Sequence, residues 1–339
     1  MNVLVTGGGA LLGQGIIKAL RMSTLPHRLI VADPSPLAAG LYRGDRARLI
    51  PMASDPRYVD VLTQLIREEG ADVVLIGTDV ELPVLAAHRP QIERETGATV
   101  VVSSPEVIAI ADDKWLTYEF LRRHGFPYPA SCLPNDLDAF LAAASFPLVV
   151  KPRVGARSVD VSVVHDEADL RRAVQTLPHP IIQEWLVPET EEFTVGALVF
   201  DGTVFGVIAM QRVLRDGNTY RAFVRAYPDI TRAVAEMARA LGPTGPANFQ
   251  LRRTARGATV FEINARFSGT TPFRAALGFN EVDATVRRLV LGESIAPLTF
   301  REGLILRYLN EVVVSLDEYA QLESTGALDR PRSETLTSF

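Results

Sequence analysis

Gln250, Glu262, Asn264 and Arg266 are the residues of this 339-residue chain whose types and spacing most directly invite chemistry. Glu262 and Asn264 stand two apart in a segment, 261–266, that alternates apolar and polar residues, so on a strand they point to one face. A second alternating segment, 248–251, precedes a polar, turn-like run over 252–257, and pairing the two as a hairpin brings Gln250 near the other pair. One carboxylate and two amide oxygens then converge where apolar neighbours bury them. Oxygen-only sets of this kind suit Mg²⁺, which takes one or two carboxylates and fills the rest of its shell with water and phosphate oxygens. Arg266 adds a fixed cation beside the set. The same alternation also fits an exposed polar hairpin face.

Two lysines come earlier. Lys114 opens a helix in Asp112-Asp113-Lys114-Trp115, where it is a solvated charge or a phosphate contact. Lys151 ends the apolar run Pro147-Leu148-Val149-Val150 and leads through Pro152 into 153–158, a loop with Gly155 and Ser158 that can cradle an anion. Lysine suits phosphate as a mobile point charge. The segment 181–188 contains Gln183, Glu184, Trp185 and Leu186 and leaves a strand in extended form. Its backbone groups can match a purine edge, and Glu192 beyond it can accept hydrogen bonds from ribose hydroxyls. A polar loop with Trp185 in the core accounts for the same residues. Arg212, just after a strand over 204–209, either returns to this cleft or lies on the surface. His27, His88, His124, His165 and His179 form no ligand spacing. Cys132 alone excludes an intrachain disulfide and a cysteine-rich zinc site.

Gly7-Gly8-Gly9-Ala10-Leu11-Leu12-Gly13 follows the first strand, and Asp33 ends the second. Glycines there allow close backbone approach to a phosphate, and the acid can hold a ribose, the basis of an NADP-dependent reductase reading. A glycine turn that lets a helix pack close to the sheet, or that meets an acceptor, is the other reading. Thr78-Asp79-Val80-Glu81 follows the strand over 73–76, so its acids either hold an amine or cap a helix.

The elements that must position these groups alternate over the first third. Strands are expected over 3–6, 29–32, 73–76 and 99–102, and helices over 11–21, 58–69 and 82–95. That alternation predicts a Rossmann-like parallel sheet covered by helices. A boundary near residue 111 follows, then a helix over 115–124. The remainder is β-rich, with strands at 148–150, 181–184, 193–199 and 204–209 and helices over 229–240 and 281–291. From about Arg330 the chain reads as a weakly ordered tail. With 47% hydrophobic and 22% charged residues it is long enough for two or three packed units. A net charge of −5 argues against a broad nucleic-acid surface. No apolar run reaches membrane-spanning length, and the amino terminus enters a strand without a leader, so a cytoplasmic protein is expected.

Read in order, Asp113-Lys114, Val150-Lys151-Pro152, Gln183-Glu184-Trp185-Leu186, Glu192-Phe193-Thr194-Val195, Gln250 and Glu262-Ile263-Asn264-Ala265-Arg266 resemble the ATP-grasp superfamily. Most similar is the carbamoyl-phosphate synthetase large-subunit-like ligase branch. The resemblance runs to about residue 310 and implies an α/β chain with an α+β ATP-grasp part. A Rossmann-like domain would occupy 1–111, a small lobe with the phosphate loop 112–187, a large lobe with the Mg²⁺ site 188–310, and an extension 311–339. It implies that Lys114, Lys151 and Ser158 meet ATP phosphates, and that Gln183, Glu184, Trp185 and Leu186 hold adenine with Glu192 on ribose. Gln250, Glu262 and Asn264 would hold two Mg²⁺ ions, Mn²⁺ being a substitute. Arg266, Arg212 and Lys151 would stabilise the transferring phosphoryl group. The implied activity joins a small-molecule carboxylate to an amine through an acyl phosphate, in a protein that forms a homodimer and uses neither membrane nor nucleic acid. The loop 151–160 has one glycine where relatives often have two or three, so a nucleotide-binding protein without ligase activity is the alternative. With one ATP-grasp unit and no glutamine-hydrolysing domain, full carbamoyl-phosphate synthesis is not expected of this chain alone.

Overall fold

The structure, a computed structural model, describes residues 1–155, 159–308 and 310–335. The first unit runs β1 (Asn2–Val5), α1 (Leu11–Arg21), β2 (Arg28–Asp33), β3 (Arg46–Leu49), α2 (Tyr58–Glu69), β4 (Val73–Leu75), α3 (Leu82–Thr96) and β5 (Thr99–Val101). These five strands pair in parallel, in the order β3-β2-β1-β4-β5. Their short apolar runs, such as Val3, Leu4 and Val5, are wholly buried, as a sheet covered on both faces requires. The order reverses beside β1, so the turns after β1 and β4 flank a crevice at the carboxyl ends of the strands. Glu81 pins the second of these turns: Thr6 Oγ1 donates to Glu81 Oε2 at 2.6 Å and Tyr58 Oη to Oε1 at 2.7 Å. Burial pushes this carboxyl up to about 7.

Two helices, α4 (Pro105–Asp112) and α5 (Lys114–Arg123), lead onward, each capped by the side chain before it, Ser104 and Asp113. A small lobe follows, of β6 (Ser131–Cys132), α6 (Leu137–Leu141), β7 (Leu148–Pro152), β8 (Ser162–Val164), α7 (Glu167–Thr176) and β9 (Pro180–Glu184). Its antiparallel sheet has the order β6-β9-β7-β8 and a core of its own around Leu148, Val150, Leu170 and Ile182.

The larger antiparallel sheet is built from β10 (Glu192–Phe200), β11 (Thr203–Arg215), β12 (Asn218–Val224), α8 (Pro228–Leu241), β13 (Gly245–Thr254), β14 (Gly257–Asn264), α9 (Thr271–Ala276), α10 (Glu281–Leu289) and β15 (Gly303–Leu306). Its order is β14-β13-β10-β11-β12-β15. Ile230, Val234, Met237, Ala238 and Leu241 repeat at helical spacing and lay α8 against the sheet, and Gly242 ends the helix at φ 66°. One buried cluster runs from Leu4 and Ile30 through Ile108 and Phe120 to Phe193, Phe249 and Ile263. The first unit and the large sheet therefore share a core, whereas the small lobe is packed on its own.

The carboxyl end departs from expectation. After β16 (Val312–Val313) and α11 (Leu316–Thr325), β17 (Ala327–Asp329) adds antiparallel to β3 at the edge of the first sheet. Leu322 and Leu328 are buried in that unit's core. The tail expected from about Arg330 is paired structure as far as β18 (Glu334–Thr335), which bonds to β16. Among the described residues no helix is long and apolar enough to cross a membrane.

Candidate active site between two chambers

The hairpin forms as its alternation predicts, although longer: β13 and β14 pair Gln250 with Glu262 and Asn248 with Asn264, and a bulge follows Gln250. The turn shrinks to two residues, with Gly257 at φ 93°. The four polar side chains lie in one hydrogen-bonded row. Arg212 Nη2 donates to Gln250 Oε1 at 2.7 Å, and Gln250 Nε2 and Asn264 Nδ2 both donate to Glu262 Oε1, at 2.9 and 3.0 Å. Arg266 Nη2 donates to Asn264 Oδ1 at 2.7 Å, and its Nε to Asp79 Oδ1 at 2.6 Å. Arg212 lies within β11, opposite Ala222, rather than beyond a strand ending at 209.

This row separates two cavities. A chamber of about 320 Å³ opens between small lobe and large sheet, and one of about 600 Å³ opens between the first unit and the large sheet. Lys114, Gly155, Arg212, Gln250 and Glu262 line both and form the shared wall. The turns after β1 and β4, through Ala10 and Asp79, line the larger chamber, which therefore sits at the topological switch point.

One carboxylate with two amide oxygens fits a hard divalent cation that keeps water and phosphate ligands. Glu262 Oε2 accepts no hydrogen bond among the described residues and is the open anionic oxygen of the set. The amide oxygens already accept from Arg212 and Arg266, so a bound cation would share them through their second lone pairs. Among the described residues no cluster of three acidic, histidine or cysteine side chains offers another cation site.

Lys151, near the end of β7, is buried and faces Phe261, whose ring centroid lies 5.5 Å from Nζ. Burial and the nearby Lys114 push its ammonium down to about 7 against the pull of Glu262 and Glu192. Polyphosphate in the chamber would reverse that shift. Nucleotide binding above pH 7 is therefore expected to take up a proton, whereas below about pH 6 Lys151 is protonated beforehand and uptake vanishes. Calorimetry in buffers of different ionisation enthalpy reads this uptake, and Lys151→Met should abolish it. The sign for folding is opposite: from pH 7 towards 10.5 the unfolded chain holds the proton that the folded chain lacks, so Lys151 makes the unliganded protein more stable as pH rises through that window.

Lys114 does different work. Its Nζ donates to Gly155 O at 2.8 Å, and Asp113 pairs with Arg153, so the start of α5 ties down the base of the loop after β7. Ser158 and Arg157 lie outside the described residues.

The smaller chamber has apolar faces from Val149, Val161, Val163, Leu214 and Phe261, which suit a flat ring. Gln183, Glu184, Trp185 and Leu186 line it, and their polar atoms are partly engaged. Gln183 Nε2 donates to Ser131 Oγ at 2.9 Å, and the Glu184 carboxylate pairs with Arg256. Glu192 holds two guanidinium groups, Arg212 on Oε1 at 2.8 Å and Arg252 on Oε2 at 3.1 Å. A ribose would share an already neutralised carboxylate. Arg252 is the residue that sequence reasoning missed: it also donates to the carbonyl of Leu186, and its guanidinium lies 4.5 Å from the Trp185 ring centroid. Its place two residues after Gln250 was the available signal.

The glycine-rich turn is filled by the protein itself. Gly13 N donates to Gly77 O at 3.1 Å, and a Cβ at Gly13 would stand 2.1 Å from Gly7 O. Asp33 accepts from Gly9 N at 2.8 Å and from Ser35 N at 2.9 Å. This favours close packing of α1 on the sheet over a dinucleotide site.

Comparison with known proteins agrees with this architecture. Residues 177–312 match the family described as ATP-grasp in the biosynthetic pathway with Ter operon, and residues 3–101 match the PylC-like N-terminal domain. The carbamoyl phosphate synthase large chain of Gemmatimonas aurantiaca is 25% identical over 95% of this chain, which spans 31% of that relative's length. The structure of N5-carboxyaminoimidazole synthetase from Staphylococcus aureus, complexed with ADP, superposes with a TM-score of 0.70 at 15% identity, covering 95% of this chain and 84% of that one. The L-amino acid ligase from Bacillus licheniformis gives a TM-score of 0.66 at 20% identity, covering 85% and 74%. The chain thus carries an ATP-grasp domain behind a PylC-like N-terminal domain.

Proposed function

We propose that this protein is an ATP- and Mg²⁺-dependent ligase that activates a carboxylate as an acyl phosphate and joins it to an amine, releasing ADP and phosphate. The observation that carries this reading is the wall of Lys114, Arg212, Gln250 and Glu262 shared by the two chambers. A nucleotide in the smaller chamber and a carboxylate in the larger one would meet there. The carboxylate oxygen attacks the γ-phosphorus, the bond from that phosphorus to the bridging oxygen of ADP breaks, and the amine nitrogen then displaces phosphate from the carbonyl carbon.

Lys151, Arg212 and Arg266 supply positive charge around the moving phosphoryl group without rearranging, since Glu192 and Asp79 hold the two arginines in place. Asp112 lines the larger chamber with its carboxyl pushed up by burial and by Asp79, so it is suited to take the proton that the amine releases. Mg²⁺ held by Gln250, Glu262 and Asn264 would neutralise phosphate charge. In this reading 1–111 serves the acceptor, 112–187 and 188–310 enclose the nucleotide, 311–339 is an extension, and the enzyme is cytoplasmic. A panel of amino acids and amines should reveal a pair that releases ADP; release of AMP instead would contradict the proposal.

A further inference from the structure

Arg307, one residue beyond β15, lines the larger chamber but not the shared wall. The other cations of that chamber are occupied: Arg212 by Glu192, Arg266 by Asp79, and Lys114 by the Gly155 carbonyl. Arg307 differs. Its Nη2 donates to Gly269 O at 2.6 Å and its guanidinium lies over Phe273 at 4.7 Å, yet its buried Nε has no partner among the described residues. Burial alone lowers its pKa, with no carboxylate offsetting it. A partly desolvated guanidinium on the wall of a cavity, with no carboxylate paired to it among the described residues, is short of an anion.

The positive charge continues along α1. Leu11, Gly15 and Lys18 fall on one face of that helix. Leu11 lies against Gly269, where an added Cβ would stand 2.8 Å from its Cδ2, and Gly15 lies against Pro272, with 3.1 Å left for a Cβ. That face leads from the chamber to Lys18, whose ammonium is lowered by partial burial and then by Arg307 and Arg43. Arg43 is itself lowered by burial and by Arg21. Among the described residues neither Lys18 nor Arg43 forms an ion pair. Among the described residues these like charges converge without a paired carboxylate.

We propose that Arg307, with Lys18 and Arg43 behind it, is a subsite for an oxyanion, a carboxylate or a phosphate, carried by one of the two substrates in addition to the group that reacts. This rests on the ligase reading, since the chamber is taken to hold those substrates. Because Arg307 is absent from the shared wall, the anion it holds is distinct from the carboxylate that meets the nucleotide.

The test uses the full chain saturated with Mg²⁺ and a non-hydrolysable ATP analogue, which fills the phosphate positions at Lys151. Inorganic phosphate and glutarate are then titrated as probes. Binding of either is expected, weakened roughly ten-fold or more in Arg307→Met and in Lys18→Met and largely kept in Arg307→Lys. Unchanged affinity for the nucleotide analogue shows that the variants fold; Lys18, itself exposed at the end of that face, remains informative if Arg307→Met does not. Binding of phosphate alone points to a phosphorylated substrate, and of glutarate alone to a second carboxylate. If neither probe binds, or if binding is equal in all variants, the subsite is refuted. Nothing turns over in this experiment, so its failure is separate from failure of the ligase reading.

Discussion

Replacing Glu262 with glutamine is expected to lower turnover by roughly three orders of magnitude while the protein keeps its fold. Glu262 is the one carboxylate in the row from Arg212 to Arg266, and its Oε1 accepts from both flanking amides. Glutamine fills the same volume but removes the charge, and its own amide brings a donor to a place where two donors already point. Cation affinity and phosphoryl transfer should fall together. The check is steady-state ADP release at rising Mg²⁺, with the unfolding midpoint measured alongside. If turnover persisted within a few-fold of the parent, the row would be scaffolding.

Arg274→Met is expected to cost about 3–5 kcal/mol of folding stability, the usual penalty for leaving one half of a buried ion pair. Arg274 and Glu281 are both wholly enclosed, with Nη1 at 3.0 Å from each carboxylate oxygen. Nη2 also donates to Asn248 Oδ1 and, at 3.1 Å, to Thr270 Oγ1. Thr194, Asn248 and Thr270 line the larger chamber, so this network is its floor. The backbone has made room for it: a Cβ on Gly196 would stand 2.4 Å from the guanidinium carbon. Removing both charges, as Arg274→Met with Glu281→Leu, should recover much of the loss, because the isolated buried carboxylate is the larger cost. Urea unfolding at constant m-value separates the two variants. Equal stability of Arg274→Met and the parent would contradict the account.

How much of this was legible depended on whether the signal was local. The hairpin was, since Asn248 and Gln250, and likewise Glu262 and Asn264, share a face by strand geometry alone. So was the parallel sheet, whose strands are short apolar runs spaced by helices. The return of Ala327–Asp329 to β3 was not, because it depends on pairing with a strand some 280 residues earlier that is itself rich in arginine. Arg212 lies within β11 rather than past the strand, a placement the sequence hides because the polar half of β11 carries no apolar alternation to mark it. Glu192 is expected on a ribose; its clamping between Arg212 and Arg252 follows from three strands meeting in register, which a single segment does not reveal.

The central claim is that a carboxylate is phosphorylated where the two chambers meet. Its most direct test labels the carboxylate of the active substrate with ¹⁸O and follows the released phosphate by phosphorus NMR. Attack on the γ-phosphorus makes a carboxylate oxygen the bridge of the acyl phosphate, and displacement by the amine sends that oxygen away with the phosphate. The account predicts one labelled oxygen per phosphate released. Label confined to the product, or label appearing in AMP, would contradict it.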